Sequence, residues 1–106
     1  MFTMEDLKPF FDNATMEVYG ITFRLTEEEE MAGEMAVWYS DKYKVLATPD
    51  FDGVSVAIEV MEIDVNGDCN TIDVDGYYGE VNSFEQYVNV VKSLIKKILA
   101  NHRINK

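Results

Sequence analysis

Residues 54–76 encode two β-strands and the turn between them, in the letters VSVAIEVMEIDVNGDCNTIDVDG. The first strand is marked by apolar residues at alternate positions, the period of a half-buried strand, at Val54, Val56, Ile58 and Val60. After Val60 the phase slips, because Met61 and Ile63 take over the apolar positions. A β-bulge adds one residue to a strand and shifts its phase, so the slip predicts a bulge near Met61.

The turn that follows contains Asn66-Gly67, a pair typical of the two-residue type I′ hairpin, which needs positive φ at both residues. The chain should therefore return as an antiparallel strand over about residues 69–75. In that strand we expect Ile72 and Val74 to point inward.

The two-residue period predicts three further strands before this hairpin, over residues 17–25, 34–39 and 43–48. Alternation places Trp38 and Tyr39 on opposite faces of the second of these, so one of the two rings should lie outside the core. Residues 49–53 follow the third strand and have the composition of a turn.

The segment between the first two strands has two interpretations. Thr26 and Glu29 have the spacing of a capping box, and Gly33 could end a single helical turn. The run Glu27–Glu30 could equally form a solvated acidic loop, or a docking segment that speeds association with a cationic protein.

A long amphipathic helix is predicted at the C-terminus. Ser83 and Gln86 have capping-box spacing at its start. Apolar residues then recur every three or four positions and form one stripe, at Phe84, Tyr87, Val88, Val91, Leu94, Ile95 and Ile98.

A short helix is predicted near the N-terminus, within residues 3–13. Thr3 or Asp6 could cap it, and Asp6 is favoured because Pro9 then falls in the first turn, where proline is tolerated. The predicted fold is a single α+β domain over residues 1–106. It has two layers, a five-stranded antiparallel meander sheet covered by the long C-terminal helix, and the short N-terminal helix either joins the helical layer or closes one end.

The charge is strongly acidic and unevenly distributed. Nine basic and twenty acidic side chains give a net charge of −11. Residues 1–91 carry only four of the bases and all of the acids, a balance of −16, whereas residues 92–106 carry +5. This excess argues against direct binding to nucleic acid or to anionic lipid, and it favours a basic protein partner unless it serves solubility alone.

Residues that commonly carry catalysis are scarce. Cys69 is the lone cysteine, which fits a reducing compartment, and the N-terminus lacks the pattern of a signal peptide. No apolar run approaches the length of a membrane span. His102 is the lone histidine, and no Gly-rich phosphate loop occurs. We therefore expect a cytoplasmic protein that is not an enzyme, with no catalytic residue, bound metal or cofactor, and no membrane partner.

Oxygen ligands are frequent in the hairpin over residues 64–75, but they do not form a calcium loop. Counted from Asp64, the sixth position is Cys69 where such a loop needs glycine, and the twelfth is Asp75 where it needs glutamate. These acids either form a polar hairpin face or bind the Arg and Lys residues of a partner. Under the second interpretation the partner-binding residues extend into the aromatic pair that follows: Asp64, Asp68, Asp73, Asp75, Tyr77, Tyr78 and Glu80.

In size, acidity and predicted layering the chain resembles bacterial toxin-immunity proteins of the contact-dependent inhibition and colicin type. The resemblance includes no sequence motif, so it assigns no residue. It implies a small inhibitor that binds a toxin, often a nuclease, and blocks its basic active-site cleft. Two alternatives remain open: a phage or plasmid nucleic-acid mimic of the anti-restriction or anti-CRISPR kind, and a small enzyme that uses carboxylates such as Asp64, Asp73 and Asp75.

Overall fold

The computed structural model of the chain describes residues 1–30 and 33–104. A short helix, α1 (Met4–Leu7), continues into a 3₁₀ turn (Lys8–Phe10). Six strands follow: β1 (Thr15–Val18), β2 (Ile21–Glu30), β3 (Gly33–Tyr39), β4 (Tyr43–Phe51), β5 (Val54–Ile63) and β6 (Cys69–Tyr77). The chain ends in the long helix α2 (Phe84–Ile104).

The strands form one curled antiparallel sheet in the order β1-β2-β3-β4-β5-β6. The predicted α+β meander is confirmed, but the predicted number of five strands was wrong. The predicted strand over residues 17–25 is broken by a tight turn at Tyr19 and Gly20, both with positive φ (52° and 76°). The chain doubles back there so that Val18 pairs with Ile21. The apolar period continues through the turn, which is why alternation alone does not reveal it.

The helical turn and the acidic loop predicted for residues 26–33 were both wrong for the part that the structure describes. β2 continues through Glu30 and pairs with β3, so that Glu28 lies opposite Met35 and Glu29 opposite Glu34. Pairing with a neighbouring strand outweighs the weak helical signal of the glutamates. Met31 and Ala32, which the predicted turn included, lie outside the described residues.

The hairpin between β5 and β6 has a longer turn than Asn66-Gly67 predicted. The Gly67 N–H donates to the Asp64 carbonyl (3.0 Å), and the Asp64 N–H donates to the Asp68 carbonyl (2.9 Å). Of the two central residues only Gly67 has a positive φ, 83°. This is a type I turn followed by a left-handed glycine, the three-residue alternative to the type I′ hairpin.

The bulge predicted near Met61 is present, but the extra residue lies in β6. Val60 pairs with Asp73 and Met61 with Thr71, which leaves Ile72 without a partner in β5. The phase of β6 therefore changes after Ile72. Val74, which was predicted to point inward, is 62% exposed on the other face of the sheet.

One face of the sheet packs against α2. The predicted helical stripe is confirmed, since its central members Tyr87, Val91 and Ile95 are fully buried. They meet a row of inward side chains from strands β2 to β5, including Phe23, Leu25, Trp38, Val45, Ala47, Val56 and Val60. Tyr39, on the opposite face from Trp38 as predicted, is half-buried. We call the face of the sheet that packs against α2 the helix-covered face.

A hydrogen-bonded chain crosses this core. The buried Trp38 indole N–H donates to the Tyr87 hydroxyl (3.1 Å), and that hydroxyl donates to the Ala47 carbonyl (2.7 Å). Burial raises the pKa of Tyr87 far above its usual value. The hydroxyl therefore stays neutral and serves both partners, which fixes the register of α2 on the sheet.

The N-terminal segment packs beside the start of α2. Its helix begins one turn earlier than predicted, because Thr3 rather than Asp6 is the N-cap and the Asp6 carboxylate accepts the Thr3 N–H (3.0 Å). The helix also ends sooner than residue 13, since Pro9 lies in the 3₁₀ turn. The Phe10 ring stacks on Phe84 with centroids 3.7 Å apart. Within the described ranges, no helix is long and apolar enough to cross a membrane.

Candidate protein-binding surface

The seven residues predicted to bind a partner lie along β6 and just beyond its two ends. Because connections of an antiparallel meander alternate between the ends of the sheet, Asp64 and Asp68 in the β5–β6 turn lie at one end. Tyr77, Tyr78 and Glu80 lie at the other end. β6 is nine residues long and separates the two groups by about 30 Å. The set is therefore an edge of the sheet rather than one compact patch.

Asp64 is used by its own turn. Its carboxylate accepts the backbone N–H groups of Asn66 (2.8 Å) and Asp68 (3.0 Å), and the Asn70 side-chain amide lies 3.4 Å away. These bonds, led by the Asn66 N–H, lower the pKa of Asp64. The carboxylate stabilises the hairpin tip, whereas the neighbouring Asp68 is exposed.

Asp73 and Asp75 lie in the middle of the edge strand, on the helix-covered side. Each side chain accepts the N–H of the next residue, at Val74 and Gly76 (2.8 Å in both cases). Asp75 also forms an ion pair with Lys97 of α2 (3.0 Å). The Gly76 N–H and then Lys97 lower the pKa of Asp75.

The three remaining residues lie beyond the middle of β6. Tyr77 lines a groove between β6 and α2 together with Val90 and Leu94. Tyr78 is 75% exposed, and the Glu80 carboxylate accepts a hydrogen bond from the Asn82 amide (2.6 Å). Of these three residues, only the aromatic pair offers apolar area to a partner.

The face of the sheet opposite α2, which we call the open face, carries a shallow apolar groove. Residues that pair directly across strands share a face, so the register assigns Leu46, Ala57 and Val74 to it. The groove has a volume of about 270 Å³ and is lined by Met35, Leu46, Thr48, Phe51, Ala57, Ile58, Glu59, Val74 and Asp75. Both helices pack on the opposite side, where Leu7 and Tyr87 belong to the core.

Sequence reasoning missed this groove for two local reasons. The bulge was expected in β5, which assigned Val74 to the core. Residues 49–53 were expected to be a turn, but β4 runs on to Phe51, and the tight turn is Asp52-Gly53 with φ of 50° and 81°. Asp50 also has a left-handed backbone (φ 48°), and Phe51 is 51% exposed beside the groove. The signal available in the sequence was the alternation within β3 and β4, which places Met35 and Leu46 on the face opposite Trp38 and Val45.

Acidic side chains gather at the end of the sheet next to this groove. The end of β2, the start of β3, the β4–β5 turn and the residues after β6 all lie at this end of the meander. We call it the acidic end and define it by Glu27, Glu28, Glu29, Glu34, Asp50, Asp52 and Glu80. Lys8 lies 3.7 Å from Glu34, and Lys44 lies 3.3 Å from Glu28. Asp50 and Asp52 are exposed and have no ion pair within the described part of the chain.

The opposite end of the molecule holds charges of both signs. The C-terminal part of α2 lies against the β1–β2 turn, where the Tyr19 hydroxyl donates to the Lys96 carbonyl (3.3 Å) and Arg103 stacks over the Tyr19 ring (4.9 Å). Asp64 and Asp68 are at this same end. The C-terminal bases Lys96 and Arg103 therefore lie at the end of the folded protein opposite the acidic end.

The few residues that commonly carry catalysis are dispersed. Among residues 1–30 and 33–104, no three His, Cys, Asp or Glu side chains are arranged to hold a metal ion. Cys69 is exposed at the start of β6. The His102 Nε2 is buried without a hydrogen bond, 3.7 Å from Glu62.

Comparison with known proteins adds no relative, since no family model, curated protein or solved structure matches the chain.

Proposed function

We propose that this chain is a protein-binding inhibitor of the immunity type, which neutralises a basic toxin domain such as a nuclease by covering its active-site cleft. The observation that carries the proposal is the acidic end. Its exposed carboxylates at Asp50 and Asp52 have no ion pair in the described structure, and they adjoin an apolar groove. Free charge beside apolar surface is the composition of a protein interface.

The inhibitor would act by occupying cationic groups. A nuclease cleft holds phosphate with Arg and Lys side chains, and carboxylates form strong charge-assisted hydrogen bonds with the same groups. An inhibitor that presents carboxylates in place of phosphates excludes the substrate without any chemical step. Opposite net charges would also speed the encounter of the two proteins, an effect that salt screens.

The edge-strand residues take different parts in this proposal. Glu80 is part of the acidic end and Tyr78 lies beside it, so both belong to the contact surface, with Tyr77 at its border. Asp73 and Asp75 lie along the same strand, where Asp75 already pairs with Lys97. Asp64 and Asp68 lie at the far end and would be reached only by a partner that spans the whole edge.

The experiment is co-expression with the product of the gene immediately upstream, followed by capture and measurement of the dissociation constant at several salt concentrations. We expect a complex whose affinity falls as salt rises. Asp50→Asn with Asp52→Asn should weaken binding about tenfold, because two free carboxylates are lost at the contact. Asparagine tolerates the left-handed backbone of both positions, so the fold is preserved.

The matched control is Asp41→Asn with Asp68→Asn. It removes the same amount of charge from exposed turns at the opposite end, and we expect a change in the dissociation constant of less than about twofold. Equal losses for both pairs would show that only net charge matters. Absence of binding to any basic protein at low salt would reject the proposed function.

A further inference from the structure

The apolar groove of the open face adjoins the acidic end, where the proposed interface would need a buried apolar contact. We propose that this groove receives an apolar side chain of the basic partner, and that Arg or Lys side chains of the partner flank that side chain. This inference rests on the proposed function. Met35, Leu46 and Ala57 form its floor on three adjacent strands, and Phe51 and Val74 stand at its margins. Binding energy in protein interfaces concentrates in such anchors, surrounded by a polar rim.

The exposure of this groove results from specific features of the backbone. Val74 faces it because Ile72 is an extra residue in β6, which reverses the phase of the strand. Phe51 borders it after the left-handed Asp50. Both apolar side chains are more than half exposed, whereas most residues of the neighbouring strands β4 and β5 are buried or half-buried. Contiguous exposed apolar area of this kind marks sites of interaction.

The charges around the groove select its occupant. Asp50 and Asp52 lie beside it, and Glu59 forms part of its wall. The Glu59 carboxylate accepts a hydrogen bond from the Thr71 hydroxyl (2.5 Å), which holds it in place. A second copy of the chain would bring a net charge of −11 against the same charge. Acidic peptides and anionic lipid would be repelled in the same way, so a cationic protein segment fits best.

The groove between β6 and α2 fits this occupant less well. It has a similar volume, about 260 Å³, and is lined by Tyr77, Asn89, Val90, Ser93 and Leu94. None of the described residues that line it carries a carboxylate. The neighbouring Lys97 is mostly exposed and already neutralises Asp75. A cationic segment would therefore find no free carboxylate to pair with among the described residues that line this groove.

The test uses three short synthetic peptides and methyl NMR spectra at low salt. The first has a central tryptophan with two arginines on each side, the second replaces tryptophan by alanine, and the third replaces the arginines by glutamates. We expect the first to bind and to shift the methyl signals of Met35, Leu46, Ala57 and Val74. The alanine peptide should bind about fivefold more weakly, and the glutamate peptide should not bind.

Two substitutions in this protein give a matched comparison. Val74→Ser removes an apolar side chain at the margin of the groove and should weaken the tryptophan peptide about threefold. Val65→Ser makes the same change at the fully exposed tip of the β5–β6 turn and should leave the affinity unchanged. Both positions are exposed, so neither change should unfold the protein.

The outcomes separate this inference from the proposed function. If the tryptophan and alanine peptides bind equally, or if Val74→Ser has no effect, the groove is not the anchor site. The proposed binding of a basic partner would not be affected by that result. Methyl shifts confined to Val90 and Leu94 would assign the anchor to the β6–α2 groove and overturn the inference. If neither arginine peptide binds, both this inference and the proposed function fail.

Discussion

The two faces of the sheet are built from the same strands but differ in what covers them. On the helix-covered face, Trp38 and Val45 are fully buried beneath Tyr87 and its neighbours on α2. On the open face, Leu46 and Val74 remain accessible next to free carboxylates. The main core therefore lies on one face, and although Val37 on the open face is also fully buried, the groove beside it stays accessible.

The largest effect that tests this comparison is a pair of truncations on neighbouring residues of adjacent strands. Trp38→Ala should lower the free energy of unfolding by about 3–5 kcal/mol, because it leaves a large cavity in the core. Leu46→Ala on the open face should cost about 1 kcal/mol, since part of that side chain is already in water. Urea unfolding of both variants measures the difference. Equal losses would mean that the open face is as much a part of the core as the covered one.

A smaller effect is expected from the hydrogen-bonded chain beneath α2. Tyr87→Phe should lower the free energy of unfolding by about 1–3 kcal/mol, because it leaves the buried Trp38 N–H and Ala47 carbonyl without their partner. Thermal unfolding monitored by Trp38 fluorescence measures this change. Tyr77→Phe, at the edge of the sheet, is the control and should have an effect within about 0.5 kcal/mol. A similar loss of unfolding free energy for Tyr77→Phe would show that the hydroxyl on the helix-covered face contributes no more to stability than one at the edge of the sheet.

The smallest effect concerns the ion pair that joins the edge of the sheet to the helix. Because its pKa is lowered in the folded state, the Asp75 carboxylate stabilises the protein above its unfolded pKa of about 4, and this is lost as pH falls through the folded pKa. Asp75→Asn should therefore cost about 0.5 kcal/mol at neutral pH, a small value because Lys97 is exposed.

Unfolding free energies of the wild type and Asp75→Asn, measured between neutral pH and pH values below the folded pKa, check this prediction. The two should converge as the carboxylate becomes protonated. A difference that stays constant over this range would show that the charge of Asp75 does not contribute.

Much of the fold could be predicted because its signals are periodic. The stripe through Tyr87, Val91 and Ile95 and the alternation through Val56, Ile58 and Val60 both report burial directly. The errors came from single residues that change the direction or phase of the backbone. The turn at Tyr19-Gly20 lies inside a continuous apolar alternation, and the extra residue Ile72 could not be assigned to β5 or β6 from one strand's pattern.

The candidate site was harder to predict than the fold for the same reason. Choosing acids by their density in the sequence pointed to residues 64–75, where the local backbone already uses Asp64, Asp73 and Asp75 as acceptors. Asp50, near the end of β4, and Asp52, in the tight turn, have no ion pair in the described structure, but both fall in residues 49–53, which the sequence predicted to be only a turn. Which carboxylates are free depends on cross-strand neighbours, and sequence alone does not give these distances.

The most direct test of the central claim is cross-saturation from the bound upstream partner to the methyl groups of this protein. We predict that Met35, Leu46, Ala57 and Val74 lose signal, whereas Val90 and Leu94 beside α2 keep theirs. Loss of signal along α2 with none on the open face would contradict the account.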